Sequence, residues 1–439
     1  MDSFLKNTEK IDIQTFTIKK SVKKTKMNKE TKLNIQRVIH DIILDGNLSE
    51  EEMLYPSQEI KDLIFNIVLT IESKKTISCE EEEEIKNSIV YHLKKSVKVT
   101  APTYDKTEIE RLTNLIFNLK QIPQPVQRTK EWYEFRGNRL TASDLGSVMG
   151  YNPYENYLNT VLKKCGIDIP FTTNKAIKHG IKYEEIVTMI YSFRNNVEVF
   201  EYGCIPHPNI PHFGASPDGI VDSNSKNTDM IGRMLEIKCP TGRPITGFCP
   251  EYYWSQVQGQ LDVCDLDYCD FVECLIEEYS SEDEYYMDEG INDVYNNLGM
   301  EKGVIVDAYD LKLGKEVFYY CELGKSKGEI EKWESDIIDR IIADDNLEYQ
   351  RTSYWRLVKY NALLIKRDRE WWDGEALPKI NKYWSDVLEH RAKPMEEIQK
   401  LYKPRSWKKP VKEQPKIDNF IETKKKVTNG FLTDSDDED

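Results

Sequence analysis

The most informative segment reads HFGASPDGIV at residues 212–221 and, after a polar gap, MLEIKCP at residues 234–240. Both halves combine apolar and β-branched residues with Gly and Pro turn signals, which predicts two short β-strands. Alternate side chains share one face of a strand, so Glu236 and Lys238 point the same way. If the two strands pair, Asp218 lies beside Glu236, and two carboxylates and one ammonium meet at one point.

This cluster has a chemical and an ordinary interpretation. Carboxylate pairs supply the hard oxygen ligands that Mg²⁺ prefers, and a neighbouring lysine can orient a metal-bound water and offset negative charge. The same residues also fit an ion pair on a solvated hairpin. A D…ExK pattern is short and its gap is elastic, so by itself it does not separate the two interpretations.

Three further blocks surround the two strands. They are EWYEFRGNRLTASDLG with MGYNPY at 131–154, HGIKYEE at 179–185, and YWSQVQGQL at 253–261. In this order and spacing the blocks resemble the YqaJ-like viral recombinase family, the phage lambda exonuclease branch of the PD-(D/E)xK nucleases. The resemblance spans about residues 128–345. It implies a mixed α/β fold with a core in the order αβββαβ and helical additions at both ends of the chain.

The resemblance also implies an active site. Asp218, Glu236 and the backbone carbonyl of Ile237 would hold Mg²⁺ or Mn²⁺, and Lys238 would orient the attacking water. Glu184 and Gln256 would support them from two helices, predicted at residues 180–195 and 250–264. Glu184 and its neighbour Glu185 are expected near the first turn of their helix, where the helix dipole also favours acidic side chains.

A second group of residues is implied to hold a phosphate. Arginine offers a planar fork for phosphate oxygens, and hydroxyl groups can complete such a pocket. In the family this block binds the 5′ phosphate of the degraded strand; here it comprises Arg136, Thr141 and Ser143, with Arg243 as a further arginine. The spacing before Arg243 is one residue shorter than in the phage enzyme. The ordinary interpretation is that Ser143 caps a helix and the arginines are surface residues.

The implied reaction is metal-dependent hydrolysis of duplex DNA ends, 5′ to 3′, in viral recombination, repair or end processing. A 3′ single strand would remain for a single-strand annealing protein. Two alternatives stay open: an endonuclease or resolvase on the same fold, and a catalytically inactive DNA-binding scaffold. The phage relative is a ring-shaped trimer, so a homo-oligomer also stays open.

Composition limits the other classes of protein. The chain has 439 residues, a net charge of −15 and 39% hydrophobic residues, enough to bury a core. No apolar run approaches the roughly 18–20 residues of a membrane span. The nine cysteines form no CxxC pair, which argues against zinc or iron–sulfur sites. We expect a soluble intracellular protein without a membrane partner, located in the host cytoplasm or at a viral replication site if it is viral.

The sequence predicts four regions. Residues 1–127 read as a basic, helical extension of open role, and 128–345 as the nuclease core. Residues 346–402 read as a second helical addition, rich in aromatic residues, and 403–439 as a disordered tail. The tail contains Gln414, Ile417 and Phe420 at the spacing of a sliding-clamp docking motif.

Overall fold

A computed structural model describes residues 29–402, with gaps at 45–47, 50–51, 54–55, 75–76, 97–98, 126, 128, 168–174, 289 and 291–293. In chain order, the helices of these ranges begin with α1 Lys29–Leu44, α2 Gln58–Ile71, α3 Cys79–Ser96, α4 Lys106–Gln121, α5 Lys130–Gly137, α6 Ala142–Val148, α7 Tyr157–Lys164, α8 Lys175–Asn195 and α9 Glu251–Cys264. Those that follow are α10 Glu282–Met287, α11 Lys327–Ile342, α12 Arg369–Trp371, α13 Leu377–Arg391 and α14 Met395–Leu401. The π-helical segment Trp372–Ala376 joins α12 to α13, and Thr228–Met230 forms a 3₁₀ turn.

Within the described ranges, ten strands form two sheets. They are β1 Leu140–Thr141, β2 Val199–Phe200, β3 Ile205–Pro206, β4 Phe213–Ala215, β5 Gly219–Val221, β6 Met234–Lys238, β7 Tyr268–Glu278, β8 Lys302–Asp310, β9 Lys315–Tyr320 and β10 Leu347–Lys366. The large sheet has the order β2-β5-β6-β7-β10-β8-β9, and the small one the order β1-β4-β3. The predicted hairpin is confirmed, because β5 and β6 pair antiparallel with Gly219 opposite Leu235.

The predicted core order is also confirmed. Along the chain, α8 is followed by β2, β5 and β6, then by α9 and β7, which gives αβββαβ within the large sheet. β6 and β7 run parallel, as two strands joined by a crossover helix must. The α8 face that carries Tyr183, Ile186 and Ile190 packs on apolar residues of β5, β6 and β7. This packing fixes α8 and the sheet relative to each other beside the carboxyl end of β6.

The prediction of a helical region at 346–402 is wrong for its first third. Residues 347–366 form β10, a 20-residue strand that pairs antiparallel with both β7 and β8. The fold therefore draws part of its central sheet from beyond residue 345. Tyr349, Thr352, Tyr354 and Trp355 are aromatic or β-branched residues that suit a pleated surface, and Trp355 is fully buried there. The helical prediction holds from 369 onward, in α12 and α13.

The N-terminal region, which the sequence predicts to be helical, contains α1 and α2. Together with α3 they enclose an apolar cluster that includes Ile35, Ile64 and Ile89. Phe248, from the loop between β6 and α9, belongs to the same cluster and is 8% exposed. The N-terminal helices thus pack on the loop that follows Lys238.

Two remaining observations concern the chain ends and the membrane. The described residues 393–402 contain α14 and belong to a unit separate from the preceding chain. Gln414, Ile417 and Phe420 lie outside the described residues. Within the described ranges, none of the helices combines the length and the apolar character needed to cross a bilayer.

Candidate active site

Glu236 is the centre of the predicted site. It lies on β6 with its side chain fully buried. Its Oε1 accepts a hydrogen bond from Gln256 Nε2 at 2.6 Å and pairs with the Lys238 ammonium, while its Oε2 accepts from Gln260 Nε2 at 2.7 Å. A buried carboxylate is costly unless it is paired and hydrogen-bonded. Both oxygens of Glu236 meet that condition, so the carboxylate is held in one orientation.

Asp218 stands in the turn just before β5. Its Oδ2 accepts the backbone N–H of Ile237 at 2.7 Å, which joins it to the strand that carries Glu236. Burial, and then the carboxylates of Glu236 and Glu184, raise the pKa of Asp218 well above its usual value. Lys238 and the Ile237 N–H act in the opposite direction without cancelling this effect. The site therefore holds an excess of negative charge.

Lys238 is partly exposed and faces both carboxylates. Burial by itself would lower the pKa of Lys238, but Glu236 and Asp218 outweigh it and raise the pKa well above that of a free lysine. The side chain is consequently an ammonium at neutral pH. It can orient a water and offset negative charge, but in this state it has no lone pair with which to accept a proton.

Glu184 reaches the site from α8. The helix already includes Lys175, so Glu184 and Glu185 lie near its middle and the expectation of a first-turn position is wrong. The dipole effect is confined to the first and last turns and does not account for these acids. Glu184 instead acts on the site directly, since its charge raises the pKa of both Asp218 and Cys239. Glu185 is exposed.

A buried ionic cluster fixes the helix that carries Glu184. Lys182 Nζ contacts Glu278 Oε1 at 2.9 Å, Asp307 Oδ2 at 2.8 Å and Ser353 Oγ at 2.6 Å. These three partners lie on β7, β8 and β10. Because paired buried charges are lost only at a large cost, they resist rotation of α8 about its axis. The direction of Glu184 is set in this way.

The residues present fit a divalent cation. Asp218 and Glu236 offer carboxylate oxygens, Ile237 a carbonyl, and the raised pKa of Asp218 marks negative charge that a cation would offset. Among the described residues, no three His, Cys, Asp or Glu side chains converge in the manner of a preformed metal centre. Two carboxylates and a carbonyl suit Mg²⁺, which keeps several of its waters, better than they suit a closed zinc site.

The second predicted group also comes together. An Arg136 guanidinium N–H donates to Ser143 Oγ at 2.9 Å, and Ser143 Oγ lies 3.1 Å from Thr141 Oγ1. The Arg136 guanidinium stacks over Trp132, 4.2 Å from the ring centroid. Thr141 lies on β1, opposite Gly214 of β4, and β4 ends three residues before Asp218. The small sheet thereby links this group to the carboxylates.

Arg243 lies in a different environment from Arg136. It lies 2.5 Å from Glu273 Oε1, a fully buried carboxylate on β7 that stands opposite Lys238 in the strand register. Burial raises the pKa of Glu273, and Arg243 counteracts that rise. The structure therefore brings Arg243 close to Lys238 but commits part of its guanidinium to a carboxylate.

One segment of the chain matches a known protein family. Residues 131–267 match the YqaJ-like viral recombinase domain. The resemblance inferred from the sequence blocks is thus confirmed, and Asp218, Glu236, Lys238 and Gln256 all lie inside the YqaJ-like segment.

Two proteins of similar sequence come from viruses. The chain is 34% identical over 356 residues to an uncharacterized protein of Acanthamoeba polyphaga mimivirus, covering 75% of this chain and 63% of that protein. It is 26% identical over 164 residues to a protein of African swine fever virus, covering 31% of this chain and 46% of that one. The chain thus spans between about half and two thirds of the length of these relatives.

Two solved structures to which the chain was matched are described as exonucleases. An alkaline exonuclease from Laribacter hongkongensis is 19% identical, with a TM-score of 0.34, and covers 62% of this chain and 97% of that one. A phage-related exonuclease from Haemophilus somnus is 12% identical, with a TM-score of 0.31, and covers 60% and 96% of the two chains.

Two residues beyond the predicted set, Gln260 and Glu273, complete the site. Gln260 donates a hydrogen bond to Glu236. Its position in the sequence, one turn after Gln256 on the same helix face, could have indicated this role. Glu273 anchors Arg243, and its signal was a glutamate within the apolar strand Tyr268–Glu278. A charged residue in a buried strand needs a partner. Neither pattern named the partner, because that depends on which strands and loops become neighbours.

Proposed function

We propose that the protein is a metal-dependent deoxyribonuclease that degrades linear duplex DNA from its ends, 5′ to 3′, during recombination, repair or end processing of viral DNA. The observation that carries the proposal is the Glu236 carboxylate, buried and oriented by Lys238, Gln256 and Gln260 beside Asp218. The match to the YqaJ-like viral recombinase domain supports the same reaction class.

Asp218, Glu236 and the carbonyl of Ile237 would hold Mg²⁺ or Mn²⁺. When bound, such an ion lowers the pKa of a coordinated water and stabilises charge on the phosphate and the leaving oxygen. The Lys238 ammonium donates a hydrogen bond to the attacking water and offsets charge as the new P–O bond forms and the P–O bond to the leaving sugar oxygen breaks. The proton of the water passes to solvent, and the leaving oxygen takes up a proton from solvent. Gln256 holds Glu236 in place, and Glu184 adds a carboxylate at the edge of the site.

End recognition is assigned to the group around Arg136. Its guanidinium is braced on Trp132, and Ser143 and Thr141 offer two hydroxyl groups at hydrogen-bonding distance from each other. A 5′ phosphate bound there would fix the distance from the strand end to the carboxylates, which makes cleavage directional. Arg243 would contribute its remaining N–H groups, since Glu273 occupies only part of the guanidinium fork.

The products define the expected partners. Removal of one strand exposes a 3′ single strand, which a single-strand annealing protein would take up. Sliding-clamp binding through Gln414, Ile417 and Phe420, and assembly into a homo-oligomer, belong to the same proposal. Action at a viral replication site in the host cytoplasm is consistent with the viral relatives.

The central test is digestion of linear duplexes labelled at either end, with 5′-phosphate or 5′-hydroxyl termini, with and without Mg²⁺. We expect metal-dependent release of label from the 5′ end and faster digestion of phosphorylated ends. Asp218→Ala and Glu236→Ala are expected to lower turnover by about 10²–10³-fold, the effect of losing a principal electrostatic stabiliser. Undiminished digestion by both variants would contradict the assignment.

Arg136→Ala separates an exonuclease from the alternatives. Loss of one charge-assisted hydrogen bond of about 1.5–3 kcal/mol should remove the preference for phosphorylated ends. Arg340→Ala removes the same charge from an exposed position on α11 and serves as the control. Equal cleavage of circular and linear DNA would favour an endonuclease or resolvase, and tight binding without cleavage would favour a scaffold.

A further inference from the structure

A row of tyrosine rings extends from Lys238 to the protein surface. Lys238 Nζ lies 4.8 Å from the centroid of the Tyr253 ring, and the Tyr253 and Tyr252 centroids are 4.2 Å apart. Tyr154 continues the row, 6.1 Å from Tyr252 and edge-on to it. Its side chain is 58% exposed. The row therefore begins at the proposed catalytic lysine and ends in solvent.

The local backbone holds this row in place. Tyr252 and Tyr253 lie in the first turn of α9, and α6 packs against Tyr252 so closely that a Cβ on Gly146 would approach the Tyr252 Cβ to 2.7 Å. Asn152 fixes the turn before Tyr154, since its Oδ1 accepts the Tyr154 N–H at 2.8 Å and its Nδ2 donates to Ser147 Oγ at 2.9 Å. An exposed ring on a braced turn keeps its position without needing to be buried.

The row connects the two proposed binding groups. Ser143 and Gly146 both belong to α6, so the helix that supplies Ser143 to the proposed phosphate-binding residues also contacts Tyr252. At the inner end, Arg243 lies 5.7 Å from the Tyr253 centroid, so two cations face this ring. A strand whose phosphates contact these cations would carry its bases on the aromatic side. Aromatic side chains beside a cationic track are the usual platform for unpaired bases.

We propose that Tyr154, supported by Tyr252, stacks on an unpaired nucleobase of the DNA strand being cut, close to the scissile phosphate. The inference rests on the proposed nuclease function and adds a base-binding surface to it. Stacking tolerates every base, because each base has a π face, so the surface would stabilise a frayed end without selecting sequence. Ordinary aromatic packing accounts for Tyr253 against Phe271, whose centroids are 5.8 Å apart. Tyr154 packs edge-on against Tyr252 and is nevertheless 58% exposed at the surface.

The test compares Tyr154→Ala and Tyr154→Phe in the full chain, with Tyr349→Ala, an exposed tyrosine on β10, as the control. The substrates are duplexes whose 5′-terminal nucleotides either carry bases or are abasic. On the normal substrate Tyr154→Ala should weaken binding and raise KM by about 5- to 150-fold, which corresponds to about 1–3 kcal/mol for one stacked base, with little change in kcat. Tyr154→Phe keeps the ring and should remain within about twofold of the wild type.

The abasic substrate decides between stacking and a structural role. If Tyr154 stacks on a base, the wild type should bind the abasic end more weakly than the normal end. Tyr154→Ala should then bind the abasic end no more weakly than the wild type does. An equal penalty for Tyr154→Ala on both substrates, or no penalty on either, overturns the inference while wild-type digestion leaves the nuclease proposal intact. A wild-type protein that neither binds nor digests DNA overturns both.

Discussion

Replacing Gln260 with methionine tests whether the orientation of Glu236 controls catalysis. Gln260 is 1% exposed, and its Nε2 donates to Glu236 Oε2 at 2.7 Å and to the Ser216 carbonyl at 3.2 Å. Methionine has a similar length and fills the space but donates no hydrogen bond. Glu236 would keep Gln256 and Lys238 on Oε1 and lose its partner on Oε2, so it could rotate or shift.

The magnitude follows from the lost bond. A hydrogen bond to a charged group contributes about 1.5–3 kcal/mol. If that energy fixes Glu236 in its reactive position, kcat should fall by about 10- to 150-fold, since each 1.36 kcal/mol is a factor of ten. The Mg²⁺ concentration for half-maximal activity should rise as well, because Glu236 is a proposed ligand.

Gln258→Met is the matched control. Gln258 lies on the same helix, is equally buried, and also makes two hydrogen bonds, to the Lys366 carbonyl at 3.0 Å and from the Asp368 N–H at 2.6 Å. Both variants should lose a similar free energy of unfolding in urea, and only Gln260→Met should lose activity and Mg²⁺ affinity. If the two variants lose activity equally at equal folded fraction, the hydrogen bond to Glu236 has no catalytic role.

Three further predictions concern other parts of the chain. Asp218→Asn should raise Tm in metal-free buffer at neutral pH and abolish digestion. A carboxyl group whose pKa is raised in the folded state destabilises the fold as the pH rises from the unfolded pKa to the folded pKa. The gain in Tm should therefore vanish in acid, where the carboxyl group is neutral in both the folded and the unfolded state. Phe248→Ala should lower the free energy of unfolding by about 3–5 kcal/mol, measured in urea, if the N-terminal helices pack on it as a core; an unchanged midpoint would refute that contact. A peptide of residues 408–426 should bind a cognate sliding clamp in calorimetry and lose binding on Ile417→Ala with Phe420→Ala.

The candidate site was largely predictable because its residues are close in the sequence. Glu236 and Lys238 alternate on β6, so strand periodicity predicts that they share a face, and Asp218 precedes the neighbouring strand β5, so pairing of the two strands brings it beside them. Gln256 and Gln260 follow on the next helix at a spacing of four residues. Periodicity within strands and helices therefore predicts which of these five side chains share a face. It does not predict the contact between α9 and β6.

The region 347–366 was not predictable in the same way. Its segment carries aromatic and apolar residues that fit one face of a helix as well as a strand, and the choice depends on an available partner. β7 and β8 leave a place between them that only an extended segment can occupy, and the backbone hydrogen bonds made there settle the conformation. The start of α8 and the position of Glu184 likewise depend on tertiary contacts, because the partners of Lys182 lie on distant strands.

Local sequence patterns predict the pair of strands β5 and β6 and the cluster of Asp218, Glu236 and Lys238, because these residues lie on neighbouring segments of the chain. The order αβββαβ came from the resemblance to the YqaJ-like family. The groups that surround the carboxylates depend on the tertiary structure. It joined Arg243 to Glu273, aligned three tyrosines from two separate segments beside Lys238, and placed Phe248 among the N-terminal helices. These contacts close over long stretches of chain, and their energy comes from burial and charge pairing that no local pattern specifies.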